Sequence, residues 1–140
     1  MNKELNVYQK LQLVQQNIGQ LAKDQLNKFQ NYKYVSEYDI LRTLRPLLNQ
    51  QNLLLIFSDE TSSEFLFNKT EKEWIVKYLK RMLIINCENS TEQLAFNFWA
   101  CGQNTDLAKA KGSAETYSIK YLLMKFFLIP TSDNLDPDSK

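Results

Sequence analysis

The residue types that do acid–base or metal chemistry are thin in this chain. It contains no histidine, which removes the usual general base and the commonest zinc ligand. Carboxylates such as Asp59, Glu60 and Asp106 have no spacing diagnostic of a metal-dependent nuclease. What stands out instead is "KAKGSAETYSIKY", residues 109–121. On a helix, Lys109, Gly112, Ser113, Thr116 and Lys120 share one small, polar flank with a lysine at each end. Small residues let a phosphate backbone come close to a helix, and lysines supply point charge. A glycine in mid-helix costs about 1 kcal/mol relative to alanine, and close approach of a ligand would be one compensation. The competing reading is that Gly112 ends a short turn and Ser113 caps the next helix. On the residues alone that plainer reading is the stronger.

The elements that must position this segment are readable from periodicity. Residues 3–27 place Leu5, Tyr8, Leu11, Val14, Ile18, Leu21 and Leu26 mostly three or four apart, an amphipathic helix. After the polar-aromatic "NKFQNYKYV", Ser36 with Asp39 three residues on gives a capping-box start. Ile40, Leu41, Leu44, Leu47 and Leu48 form the buried face, and Pro46 predicts a kink or an end near Leu48. "NLLLIFSDE" reads as a strand. "EWIVKYLKRMLIIN" fits a long strand, with some helical periodicity, and it pairs with the alternating "LAFNFWAC" as a hairpin. The stretch between the first two strands holds a small strand or a long loop. In the last helix, Leu107, Ala110, Ala114, Tyr117, Tyr121, Met124 and Leu128 form the stripe expected to face the sheet. The order is that of an α+β fold, with an antiparallel three- to four-stranded sheet packed against helices. Residues 1–130 make one domain, with residues 1–28 its N-terminal amphipathic helix. Residues 131–140 read as an acidic, disordered tail.

Charge and composition narrow the classes. The 140-residue chain has a net charge of +1. The tail holds Asp133, Asp136 and Asp138 against Lys140, so the first 130 residues carry 16 basic and 13 acidic groups. This allows a nucleic-acid partner without requiring one. No apolar run is long enough for a membrane span, and the start lacks a secretory signal. Cys87 and Cys101 lack metal-like spacing and read as reduced cytosolic thiols. "DNLDPD" lacks the glycine and distal glutamate of a calcium loop.

Two motifs carry a family resemblance. "GSAETYSIKYLLMKFFLIPTSDNLDPD" resembles the signature of the ERF (essential recombination function) family of phage single-strand annealing proteins. That signature has a small elbow, a basic-aromatic pair, an apolar helix and an Asp-rich end. "YKYVSEYDILRTLRPLLNQQNLLLIF" resembles the family's upstream Y-x-Y, L-R/K-P-L-L helix and strand. Together they span roughly residues 30–138. The departures are the long "SSEFLFNKTEKE" and Lys120 standing alone where a basic pair is common. The resemblance implies a β-β-β-α core like that of strand-annealing proteins. It also implies binding and annealing of single-stranded DNA in recombination without nucleotide hydrolysis, in homo-oligomeric rings or filaments. No cofactor, metal or hydrolytic chemistry is expected. The setting implied is the cytoplasm of a bacterial host, with a phage or prophage gene and a single-strand-binding protein as a candidate partner.

The candidate DNA contacts on the last helix are Lys109, Lys111, Gly112, Ser113, Thr116, Tyr117 and Lys120. By the resemblance, Thr116, Tyr117, Lys120 and Tyr121 match T-Y-x-x-K-Y. For the two tyrosines, packing on the sheet is the stronger reading and base stacking the alternative. Lys77, Lys80 and Arg81 form a second basic strip, although a regular strand puts Lys77 and Arg81 on one face and Lys80 on the other. Lys33 and Tyr34, with Tyr32, offer charge and stacking surface, or a loop covering the core. Arg42 and Arg45 suit the helix surface or a subunit contact. The alternative function is a structural or interaction protein of a phage or plasmid replication system without annealing activity.

Overall fold

The computed structural model describes residues 4–29 and 36–129, with side chains over 4–18 and 36–129. Leu21, Leu26, Tyr32, Lys33, Tyr34 and the acidic tail therefore lie outside what is described side chain by side chain. The order is α1 (Val7–Phe29), α2 (Glu37–Gln50), β1 (Leu53–Asp59), β2 (Leu66–Lys69), β3 (Trp74–Asn86), β4 (Gln93–Asn104) and α3 (Leu107–Phe126). The α+β expectation holds.

Local chemistry sets the helix starts. Asn6 caps α1: its Oδ1 accepts from the Gln9 amide at 2.8 Å, and Gln9 Oε1 accepts from the Asn6 amide at 2.9 Å. Ser36 and Asp39 form the expected capping box of α2, which satisfies two otherwise orphaned amides. Pro46 does not end α2, which continues to Gln50. Asn52, at φ 53°, then turns the chain into β1, a left-handed conformation that asparagine tolerates.

All four strands are antiparallel around β3. Along one edge, β1 pairs with Lys80–Asn86 and β2 with Trp74–Lys77, end to end. Along the other edge β4 pairs with Trp74–Ile85. The small strand in the connection after β1 is thus real, and the long-strand reading of residues 74–86 is correct. On β3 the even residues Val76, Tyr78, Lys80, Met82, Ile84 and Asn86 are buried beneath the helices. The odd residues point to a face that no helix covers among the described residues.

The main core joins Val7, Val14, Ile18, Ile40, Leu44, Leu53, Met82, Ile84, Leu123 and Phe127, from all three helices and the sheet. Each such side chain contributes about 1.5–3 kcal/mol on burial. A second cluster joins Val76, Tyr78, Ala100, Ala110 and Ala114 under the first half of α3. There Gly102 of β4 lets the helix sit close: a Cβ at Gly102 would stand 2.5 Å from the Ala110 carbonyl oxygen and 2.6 Å from the Ala114 nitrogen.

Two expectations about α3 need correction. The helix runs unbroken through Gly112 and is capped by Asp106, whose Oδ1 accepts from the Lys109 amide at 3.1 Å. Gly112 therefore ends no turn, and Ser113 caps nothing. The buried stripe also does not continue through the tyrosines. After Ala110 and Ala114 it turns to Lys120, Leu123 and Met124, leaving Tyr117, Tyr121 and Leu128 exposed. A straight helix over a twisted sheet changes its contact face along its length, and α2 docks beside the second half of α3.

Candidate nucleic-acid interface

The lysines of α3 and β3 fall into three environments, set by helix angle and strand parity. The first lies between α3 and the covered face of the sheet. Lys80, buried, donates to Asp59 Oδ1 at 2.8 Å and reaches Glu115 Oε2 at 2.8 Å. Lys111 reaches Asp59 Oδ2 at 3.0 Å and Glu115 Oε1 at 3.2 Å. The Tyr78 hydroxyl donates to Glu115 at 2.9 Å. Burial alone would raise the Asp59 and Glu115 carboxyls, but hydrogen bonds led by Lys80 hold both below their ordinary values. Burial and Glu115 push the Tyr78 hydroxyl up. Burial, and then the Glu115 charge, raises Glu37 at the start of α2. In this group two lysines meet two carboxylates, so little positive charge is left for an external phosphate.

The second environment is the outer flank of α3. Lys109, Gly112 and Thr116 are exposed and Ser113 is half-buried. An added Cβ at Gly112 would meet nothing within 4 Å, so no packing among the described residues requires a glycine there. Tyr117 and Tyr121, 53% and 45% exposed, stack with ring centroids 6.4 Å apart and an interplanar angle of 14°. The Lys120 ammonium lies 5.8 Å from the Tyr117 ring centroid and 5.1 Å from that of Tyr121. Lys120 is itself buried, and burial lowers its pKa from the usual lysine value.

The third environment is the uncovered sheet face, where Lys77 is exposed and Arg81 half-buried. The structure therefore groups Lys109, Gly112, Ser113, Thr116, Tyr117 and Lys120 on one surface. It ties Lys80 and Lys111 into an ion-pair network, and it sets Lys77 and Arg81 on the far side of the sheet. Arg42 stays on the surface of α2, its guanidinium 5.8 Å from the Tyr38 ring centroid.

Sequence reasoning missed three participants. Asp59 and Glu115, the partners of Lys80, are distant in sequence and carry no local signal. Lys10 sits in the apolar run between Val7 and Val14, which was a signal. It is 2% exposed, donates to Asn86 Oδ1 at 2.8 Å and pairs with Glu88. The Glu92 carboxylate accepts from the Val7 amide, so the turn between β3 and β4 pins the start of α1. Of the acids weighed for a nuclease, Asp59 is ion-paired, Asp106 caps α3 and Glu60 accepts from Ser62. Among the described residues no three His, Cys, Asp or Glu side chains cluster to hold a metal.

The family model of the ERF superfamily matches residues 7–140. The chain belongs to the ERF superfamily. This places it, in general terms, among phage single-strand annealing proteins. No curated protein and no solved structure matches it. Among the described residues of this ERF protein, no helix is long and apolar enough to cross a membrane.

Proposed function

We propose that this ERF protein binds single-stranded DNA on the outer flank of α3 and anneals complementary strands without nucleotide hydrolysis. The observation that carries the location is the exposed Tyr117–Tyr121 stack beside Lys120, on the same flank as Lys109, Gly112 and Thr116. Exposed aromatic faces take bases of any sequence, and flanking cations hold the backbone. Lys109 supplies charge to phosphate. Gly112 and Thr116 leave room for the backbone, and Lys120 orders the two rings from below. Annealing needs the backbone held while base edges stay open to a second strand, and it needs no general base. The sequence also contains no G-x-x-x-x-G-K-S/T phosphate loop. The active form is a homo-oligomeric ring or filament in the cytoplasm of a bacterial host, with a single-strand-binding protein as its partner in recombination.

The test is annealing of complementary fluorescent oligonucleotides by the wild type and by Tyr117→Ala/Tyr121→Ala. Each lost base stack is worth about 1–3 kcal/mol, so binding falls about tenfold or more and annealing falls with it. Lys109→Ala weakens binding on every sequence alike and flattens the salt dependence by about one ion. Normal annealing and an unchanged salt slope in both variants would sink the assigned flank.

A further inference from the structure

We infer that the uncovered sheet face carries a second single-strand site, centred on Trp99, on the side of the sheet away from α3. The inference rests on the strand-binding reading above. Trp99 of β4 is 55% exposed and pairs across the sheet with Leu79. On that same face, two residues either side of Leu79, stand Lys77 and Arg81. The Lys77 ammonium lies 4.7 Å from the Trp99 ring centroid. Asn97 pairs with Arg81 and Gln103 with Ile75, adding amides that can bind base edges or phosphate. Strand alternation places Leu54, Ile56, Ser58, Leu66, Asn68, the odd residues of β3 and the odd residues of β4 on this side. None of these strand residues is acidic. Glu60 lies near Arg81 at the rim, but its carboxylate accepts from the Ser62 hydroxyl at 2.8 Å.

The face divides along its length, and the division selects the ligand. Leu54, Ile56, Leu83, Ile85 and Ala95 make the end near the turn between β3 and β4 mostly apolar and free of charge, with Gln93 at its margin donating to the Ser90 carbonyl. The other end combines an exposed indole, two cations and amides. An exposed tryptophan flanked by cations on a flat sheet suits stacked bases and a tracking phosphate backbone. A base that takes the indole face displaces the flexible Lys77 side chain onto the adjoining phosphate. Because the α3 flank lies on the covered side, one copy then presents two strand-binding surfaces separated by the sheet.

The chain has two tryptophans, so Trp74→Phe in the full chain leaves Trp99 as the only indole reporter. This variant is titrated with oligothymidine while the anisotropy of a labelled oligonucleotide reports binding independently. The expected result is quenching of Trp99 emission as anisotropy rises, persisting when Tyr117→Ala/Tyr121→Ala is added. Trp99→Ala/Lys77→Ala weakens this phase about tenfold, whereas Trp99→Phe retains most of it and controls for folding. A rise in anisotropy with unchanged Trp99 emission overturns the second site and leaves the α3 reading standing. No rise in anisotropy for the wild type removes both. If Trp99→Ala changes the oligomeric mass and leaves DNA binding intact, the face is a contact between copies and the inference fails.

Discussion

On the side of α3 turned toward β3, Lys111 and Glu115 join Lys80 and Asp59 in a closed group of two cations and two anions. On the opposite flank of the same helix, Lys120 lies under two exposed tyrosines and Lys109 faces solvent. The residue types are almost the same, and the difference lies in what surrounds them: two carboxylates for Lys80 and Lys111, two tyrosine rings beside Lys120. On the inner side, the positive charge is used within the fold, where it holds α3 against β1 and β3. On the outer flank, the Lys109 charge and the faces of Tyr117 and Tyr121 stay accessible to a partner. A count of lysines along "KAKGSAETYSIKY" cannot separate these roles. Helix angle and strand parity can.

The largest expected effect breaks the inner group. Lys80→Ala leaves Asp59 and Glu115 facing each other with Lys111 as their only ion-pair partner among the described residues. Removing one partner of a buried pair costs about 3–5 kcal/mol. The two carboxylates here are partly exposed, which brings the expectation to about 2–3 kcal/mol. Lys109→Ala should change stability by less than about 0.5 kcal/mol while weakening DNA binding. Chemical denaturation and DNA titration of the two variants measure both. A Lys80→Ala protein of wild-type stability that has lost DNA binding would reverse the assignment.

A middle-sized effect sharpens the contrast through two glycines. At Gly102 a Cβ meets backbone atoms of Ala110 and Ala114, so Gly102→Ala pushes α3 off the sheet at a cost of about 1–3 kcal/mol. At Gly112 a Cβ meets open space, so Gly112→Ala should stabilise by about 1 kcal/mol through helix propensity. If a phosphate backbone approaches α3 at Gly112, that more stable variant binds DNA more weakly. Stabilisation without loss of binding would show that the elbow is a sequence accident rather than a clearance.

How much of this was legible follows from which signals are local. The Ser36–Asp39 capping box and the alternation in "LAFNFWAC" are local, and both predicted what the structure contains. The same alternation already set Trp99 against Phe96 and Phe98, so the exposed indole was available to a reader who followed the second face. The end of α2 lies at Gln50, close to the expected Leu48, because Pro46 sits in the last turns and the helix accommodates it. The tyrosines were assigned to the buried stripe because a 3.6-residue period assumes one flat contact surface. The sheet twists, and the second half of α3 also meets α2. Gln15 of α1 donates to the Phe126 carbonyl at 2.9 Å as well. The carboxylate partners of Lys80 were illegible because they come from β1 and α3, which only the folded topology joins.

The smallest effect compares Lys111 and Lys120 by titration, because burial and partners act on them with opposite outcomes. Burial lowers both, but hydrogen bonds from Lys111 to Asp59 and Glu115 win and raise it. Lys120 is lowered by burial. For Lys111 the folded value exceeds the unfolded one. Its contribution to stability is therefore complete below the unfolded value of 10.5 and is lost as pH rises through the folded value. For Lys120 the folded chain releases its proton first, so between its folded value and 10.5 the unfolded chain binds more protons and stability rises with pH. At the acid end, Asp59 and Glu115 contribute stability above their unfolded values of 3.8 and 4.5, lost as pH falls through the depressed folded values. Site-resolved NMR titration of the two lysine ε-methylene groups orders the midpoints directly, with Lys120 below Lys111. Addition of oligothymidine should raise the Lys120 midpoint, because a phosphate brought beside the tyrosine pair favours the charged ammonium, and should leave Lys111 in place. A Lys120 midpoint at or above that of Lys111 in the free protein would remove the contrast between the two sides of the helix.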